Sequence, residues 1–591
     1  MHFLFVVVAL ALISVSCGEE DVASHAYDKA TMRDQSLMSS TWPSDHGDSS
    51  RTKYTYHAGL PADFDASRVS IVKQEKITAA QWLYTAGEHS EFLFVMGGPP
   101  NDIFVAKLDS RTLEILQENT LGPALYIGGL LMHANGHVYA AHGNRLYRFK
   151  DADLTRKEEV TLPTTLNGNM VQTNGLVVSS DGLLVIKQWS MIFEDLALHL
   201  FFVPVLLKLV FAFIVLGASI SSRLMRPPAN YSAAATTTTS KGKDKGRTKK
   251  HPRRSWVAFL FHSLLGGVCG LLVFVTLITG GLRYILGPFD LAPFFFTNTP
   301  LGMDKGGGGQ LKFINPDTLE VVADLYLPER ASFGRMALGR AEARPGQAPE
   351  DVEDVVVLIG DEFIRQYRWA PSTHTLHEVE EWAARYRSRG EGSFPGTGPT
   401  IFNGATFFTD NTFPVFLGNG TYSMFRRELE MVDGAEPELQ KASMVTPGDG
   451  AGFMFWSVVV SPLTNAVMAW DSANDNVQMR DADSLELRWR LRAVQSDCVT
   501  LAADRGHVYL SDHSQSPGKW AKWGPAIGKE SAKRNPDIRK FLIVADVHTG
   551  NVLLNVTVQN GGGMKASLIV PGANDDVIIA GPSGLSRVYI K

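Results

Sequence analysis

Nine polar side chains stand where short apolar runs stop: His142 and Asn144, Asp361, Asp410 and Asn411, Asp471 and Asn474, Asp512 and His513. Carboxylates and amides brought into one ring would offer the hard oxygen ligands that suit a cation such as calcium. The same set could hold a polar ligand, with an aspartate or a histidine serving as general base. Each residue also has a local use, because Asp and Asn at strand ends stabilise turns by bonding back to the chain. Which use applies depends on the elements that carry them.

Those elements are strands. A recurring unit runs through the chain: an apolar strand ending in Asp, Asn or His, a turn, then two more strands joined by D-x-x-T/L. GHVYAAHGNRLYRFKDADLTRKEEVTLP (136–163) is the clearest copy, and NAVMAWDSANDNVQMRDADSLELRWRLR (465–492) repeats it. EFLFVMGGPPNDIFVAKLDSRTLEILQE (91–118) and the pair GHVYLSD and FLIVADVHTGNVLLNVTV (within 506–558) are further copies. Period-two alternation with evenly spaced turns predicts four-stranded antiparallel blades set radially, an all-β propeller with few open edges. The count favours eight blades, with seven the alternative. The C-terminal run ASLIVPGANDDVIIAGPSGLSRVYIK supplies three strands, and SRVSIVKQEK (67–76) is expected to add the fourth and close the ring. In such a blade the A–B and C–D turns share one face and the B–C and D–A turns the other. The nine residues end B strands, so they are expected on the second face.

The C–D hairpins VADVHTGNVLLNV (544–556), MRDADSLELRWRL (479–491) and FINPDTLEVV (313–322) are similar to the ALDAxTGxxLW theme of quinoprotein-like, PQQ-repeat propellers. WPSDHGDSSRTKY (42–54) also resembles the opening segment of that family. The resemblance implies the fold and little about activity. PQQ as a cofactor is not supported: the adjacent cysteine pair of many PQQ dehydrogenases is absent, and no Glu/Asn/Asp metal set is assigned by motif.

Three segments are apolar enough to address a membrane. Residues 3–13, followed by small residues and then Glu19, Glu20 and Asp21, have the layout of a secretory signal peptide, here 1–17. Cys17 invites a lipoprotein reading, but Ser14 stands where such signals carry Leu. Residues 196–220 contain a single charge, Lys208, and residues 256–282 contain none. Both exceed the roughly 20 residues that span a bilayer. Gly266-x-x-x-Gly270 would allow close helix approach. Between them, residues 223–254 hold ten Lys/Arg against one acid, Asp244. The positive-inside rule makes that loop cytosolic. The expected layout is therefore a signal peptide (1–17), an N-terminal extension (18–59), a first propeller part (60–195), a transmembrane hairpin (196–287) and a second propeller part (288–591). LVIKQW (184–189) and GQLKFINPDTLEVVADLYLPE (309–329) read as the two halves of one blade, so the hairpin is inserted between its B and C strands. Both propeller parts then lie on the extracellular, luminal or periplasmic side, where sequons at Asn419 and Asn555 are glycosylation candidates; Asn230 fits the pattern within the cytosolic loop.

The loop is a local +9 in a chain whose net charge is −5, leaving −14 elsewhere. An acidic body argues against nucleic-acid binding. Three cysteines, Cys17, Cys269 and Cys498, exclude a disulfide scaffold and a cysteine zinc site. Gly306–Gly309 lacks the Lys-Ser/Thr of a phosphate loop, and G-x-S-x-G and H-E-x-x-H are absent. Two functions follow as expectations. One is a membrane-anchored scaffold that binds a protein, glycan or lipid headgroup. The other is an outer-face enzyme, a quinoprotein-like oxidoreductase or a metal-dependent hydrolase.

Overall fold

The computed structural model describes residues 48–191 and 308–591, less 56–57, 78–81, 86–90, 99–101, 123–126, 151–152, 165–169, 331–334, 361, 387–397, 411–422, 433, 445–456, 472–475, 493–497, 514–538, 561–567 and 582–583. The proposed signal peptide and hairpin lie outside the described residues. Among the described residues no helix is long and apolar enough to cross a membrane.

Eight antiparallel sheets make an eight-bladed propeller. Blade 1 is built of Trp82–Thr85, Phe92–Gly97, Ile103–Asp109 and Ile115–Gly122, and blade 2 of Ile127–Met132, Val138–His142, Arg145–Phe149 and Lys157–Thr161. In blade 3, Met170–Val178 is innermost, followed by Leu184–Met191, Gly308–Ile314 and Val321–Arg330. Leu184 faces Ile314 and Trp189 faces Gly309 in unbroken antiparallel register. Residues 192–307 are thus inserted between the B and C strands of a single blade, as the sequence predicts. Loop ends held adjacent by a ladder tolerate long insertions.

Blade 4 starts at Ala337–Arg340, blade 5 at Thr400–Phe402, blade 6 at Val459–Ser461, blade 7 at Val499–Ala502 and blade 8 at Leu568–Gly572. The fourth strand of blade 8 comes from the other end of the chain: Val69–Gln74 pairs with Gly584–Ile590, Val69 opposite Ile590 and Gln74 opposite Leu585. The ring is closed by the segment the sequence nominated.

The repeated D-x-x-T/L turn has a local cause. Asp109 Oδ1 accepts from the Arg111 and Thr112 amides at 2.9 and 2.7 Å. Asp481 and Asp546 do the same for residues two and three further on, and Asn315 stands in for the aspartate in blade 3. The fifth residue then turns left-handed to return its N–H to the first carbonyl. Leu113, Leu319 and Leu485 adopt φ of 60°, 61° and 58° there, and Gly550 has φ 72°. A leucine in this region is strained. Burial of all three side chains between blades offsets the cost.

Blades pack through apolar side chains on both faces, and polar tips tie neighbours together. Trp489 Nε1 of blade 6 donates to the Val547 carbonyl of blade 7 at 2.8 Å. Tyr139 Oη of blade 2 reaches the Pro316 carbonyl of blade 3 at 2.9 Å, and Trp369 Nε1 of blade 4 reaches Asp181 of blade 3 at 3.1 Å.

Candidate site at the channel and its mouth

The innermost strands of the eight blades surround the propeller axis, and a segment from near the start of the described chain packs against them. Residues 49–55 cross the innermost strands, meeting a new blade every residue or two. Ser49 Oγ bonds the Val178 carbonyl of blade 3 at 2.9 Å, and the Ser49 carbonyl accepts from Leu338 N of blade 4. The Ser50, Thr52 and Lys53 carbonyls accept in turn from Ile401, Val460 and Leu501 of blades 5, 6 and 7, and Gly59 N donates to Gly572 of blade 8. Tyr54–Thr55 adds a short parallel strand to blade 7. These contacts fall along the innermost strands of blades 3 to 8, at the last residue of the strand in blades 3 and 8 and within it in blades 4 to 7. Residues 49–55 and 58–59, expected from the sequence within an N-terminal extension, therefore pack on the ring, and we refer to them as the strap.

Asp48 anchors the strap's start. Its carboxylate accepts from the Thr52 amide at 3.0 Å and from the Thr52 hydroxyl. Burial nevertheless pushes its pKa up to about 6, outweighing those bonds and the nearby Arg51 charge. At the far end, Leu60 N donates to Tyr509 Oη at 2.8 Å.

Two strap residues without glycine's freedom turn left-handed, Arg51 at φ 63° and Lys53 at φ 56°. Both side chains leave the strap towards the B–C end. Arg51 Nε bonds Ser457 Oγ at 3.2 Å, and its Nη1 lies 3.5 Å from the Met336 carbonyl. Lys53 Nζ donates to the Ser457 carbonyl at 2.9 Å and sits 5.1 Å from the centre of the Trp470 ring. Ser457 and Met336 precede the innermost strands of blades 6 and 4. The Cβ of Arg335 is also near: a Cβ on Gly398 would lie 3.1 Å from Arg51 Nε and 3.3 Å from Arg335 Cβ. Lys187, on the B strand of blade 3, feels the Arg51 charge. All four cations are buried. Burial first, and then Arg51, bring the Lys187 pKa down to about 7; burial likewise holds Arg335 below the usual guanidinium range.

Of the sequence-predicted face, His142, Asp410, Asp471 and Asp512 sit at the ends of the B strands of blades 2, 5, 6 and 7, one per blade. Asn144 is in the B–C turn of blade 2. Asp361, Asn411 and Asn474 lie outside the described residues, as does the side chain of His513. His142, Asp410 and Asp471 are buried, and Asp512 is half-buried. His142 is held neutral, its pKa pushed down to about 4 by burial and by Arg145. Asp471 is opposite Asn476 in the ladder, and neither amide atom of buried Asn476 has a hydrogen-bond partner among the described residues. The residues are spread round a ring, and among the described residues no group of three or more His, Cys, Asp or Glu is arranged to hold a metal. The sequence reading missed the strap and its cations. The one available signal was the run Arg51-Thr52-Lys53 inside the resembling segment 42–54.

Of the glycosylation candidates, Asn555 is exposed on Val552–Asn560, the outermost strand of blade 7. Asn419 lies outside the described residues.

No family model and no curated protein matches the chain. Solved structures similar to it include the quinohemoprotein alcohol dehydrogenase of Comamonas testosteroni, at 9% identity over 93% of this chain and 80% of that one, TM-score 0.47. BamB of Moraxella catarrhalis is similar at 9% identity over 89% and 97%, TM-score 0.40, and a Dos1 propeller at 8% over 92% and 96%, TM-score 0.42. At such identities the likeness concerns the fold alone.

Proposed function

We propose that this chain is a membrane-tethered propeller that works as a binding scaffold, taking its ligand at the mouth formed by the B–C and D–A turns. The observation that carries the reading is the insertion point. Residues 192–307 leave and re-enter blade 3 at the B–C end, the end where His142, Asp410, Asp471 and Asp512 terminate their strands. The two apolar stretches and the basic loop within that insertion supply the tether. A tether attached there turns the polar mouth towards the bilayer. The ligand classes that fit are a lipid headgroup, a glycan or a partner's juxtamembrane segment. On this orientation Asn555 is on the glycosylated side.

The test compares two single cysteines in sealed membranes, using a membrane-impermeant maleimide. Leu463→Cys reports the A–B face, where Leu463 is exposed, and Asp512→Cys reports the mouth. Each rate is divided by the rate for the same variant in detergent. The expected result is a ratio near one for Leu463→Cys and at least tenfold lower for Asp512→Cys. Equal ratios would refute a membrane-facing mouth, and no labelling at either site would refute the external location.

A further inference from the structure

Each blade ends in an outermost strand whose free edge could pair with another chain, and charged side chains are a common guard against such pairing. Seven of the eight outermost strands carry at least one charge: Glu118 and Lys157 in blades 1 and 2, Asp324 and Glu378 in blades 3 and 4, Lys441 and Arg488 in blades 5 and 6, and Lys73 in blade 8. The outermost strand of blade 7, Val552–Asn560, carries none. We propose that an N-linked glycan on Asn555 takes the place of the missing charge and keeps this edge from pairing with a second copy of the chain. The inference rests on the external location proposed above, and adds to it a modification and what that modification does.

Three observations converge. The strand reads VLLNVTVQN: nine residues rich in strand formers, uncharged and without proline, the composition that pairs edge to edge most readily. At its start Val552 and Leu553 are 48% and 43% exposed. Next, the strand is open on one side. Among the described residues it pairs with Arg539–Asp546 alone, Asn555 standing opposite Ile543. An added strand would lie about 4.8 Å beyond it, within the space that a glycan rooted at its middle would fill. Finally, Asn555 opens an Asn-Val-Thr sequon and is exposed. Among the described residues neither its amide nor the Thr557 hydroxyl is held in a hydrogen bond. Surface sequons of this form are the acceptors of N-linked glycans. In the transfer, Asn555 Nδ2 bonds to the anomeric carbon of a polyprenyl-pyrophosphate-linked oligosaccharide. The bond from that carbon to the pyrophosphate oxygen breaks, polyprenyl pyrophosphate leaves, and one amide proton passes to a base of the transferase. Nothing is oxidised or reduced.

The full chain is made in a eukaryotic secretory host, and its glycans are counted from the mass lost on enzymatic removal of N-glycans. Thr373→Asn serves as a reporter of location, since it creates a sequon with Thr375 in the exposed C–D turn of blade 4. The expected result is one glycan gained in Thr373→Asn and one lost in Asn555→Gln and in Thr557→Ala. The second of these keeps the asparagine, so it separates the glycan from the residue that bears it. Each protein is then sedimented in a neutral detergent over a range of concentrations. Asn555→Gln and Thr557→Ala should self-associate at least tenfold more tightly than the parent. Asn555→Lys, which has the charge and no glycan, should match the parent. A glycan on the Thr373→Asn reporter with none lost in Asn555→Gln would overturn the proposal and leave the external location standing. No glycan at either place would overturn both. Loss of the glycan with unchanged self-association would overturn the shielding role, as would an Asn555→Lys protein that associates like the other two.

Discussion

Replacing Lys187 by methionine isolates the cost of its buried charge. The side chain is 1% exposed, and its pKa is lowered from 10.5 to about 7 by burial and by Arg51. A shift of that size corresponds to about 5 kcal/mol between the two protonation states, taken as an upper bound. The direction follows from linkage. Between pH 7 and 10.5 the unfolded chain holds this proton and the folded protein does not. Stability therefore rises with pH through that window, and the full penalty applies below it. Methionine carries no penalty at any pH. Lys187→Met should then be more stable than the parent at pH 6.5. Its advantage should narrow by about 2–3 kcal/mol between pH 7.5 and 9.5. The assay is urea unfolding followed by tryptophan emission on both proteins across that range. Two curves that stay parallel from pH 6.5 to 9.5 would refute the argument, because they would mean that Lys187 keeps its ordinary affinity for the proton.

Three other outcomes test the frame that holds the site. Asp481→Ala removes the acceptor of the Asp483 and Ser484 amides and a partner of Arg488, and should cost about 1–2 kcal/mol in denaturant unfolding. Because its hydrogen bonds hold the Asp481 carboxyl near pKa 2, that contribution should persist at pH 4 and fade only as the pH falls towards 2. Gly550→Ala places a Cβ 2.9 Å from the Trp489 ring at a left-handed position, and should destabilise by about 1–3 kcal/mol with a change in tryptophan emission. Tyr509→Phe leaves the Leu60 amide without its partner, and should accelerate hydrogen exchange at the strap's exit while costing about 1–2 kcal/mol.

What the sequence by itself determined is what is encoded locally or repeated. The C–D turns were legible because one aspartate satisfies two amides two and three residues ahead, whatever the blade around it. Strand alternation, the split of blade 3 by the insertion and the closing strand at 69–74 followed from the same repeated pattern: a unit short of a strand must find it elsewhere. The burial of His142, Asp410 and Asp471 did not follow, since a polar residue at a strand end reads the same whether it faces solvent or a neighbouring blade. Nor did the strap. Ser49 to Thr55 has no periodicity and the composition of a linker, and its order comes from hydrogen bonds to inner strands more than 120 residues away. Lys187 reads as one polar residue in an apolar strand, and Arg335 as the lead-in to another. Only the closure of the ring buries these charges and draws Arg51 to the Ser457 hydroxyl and the Met336 carbonyl of blades 6 and 4.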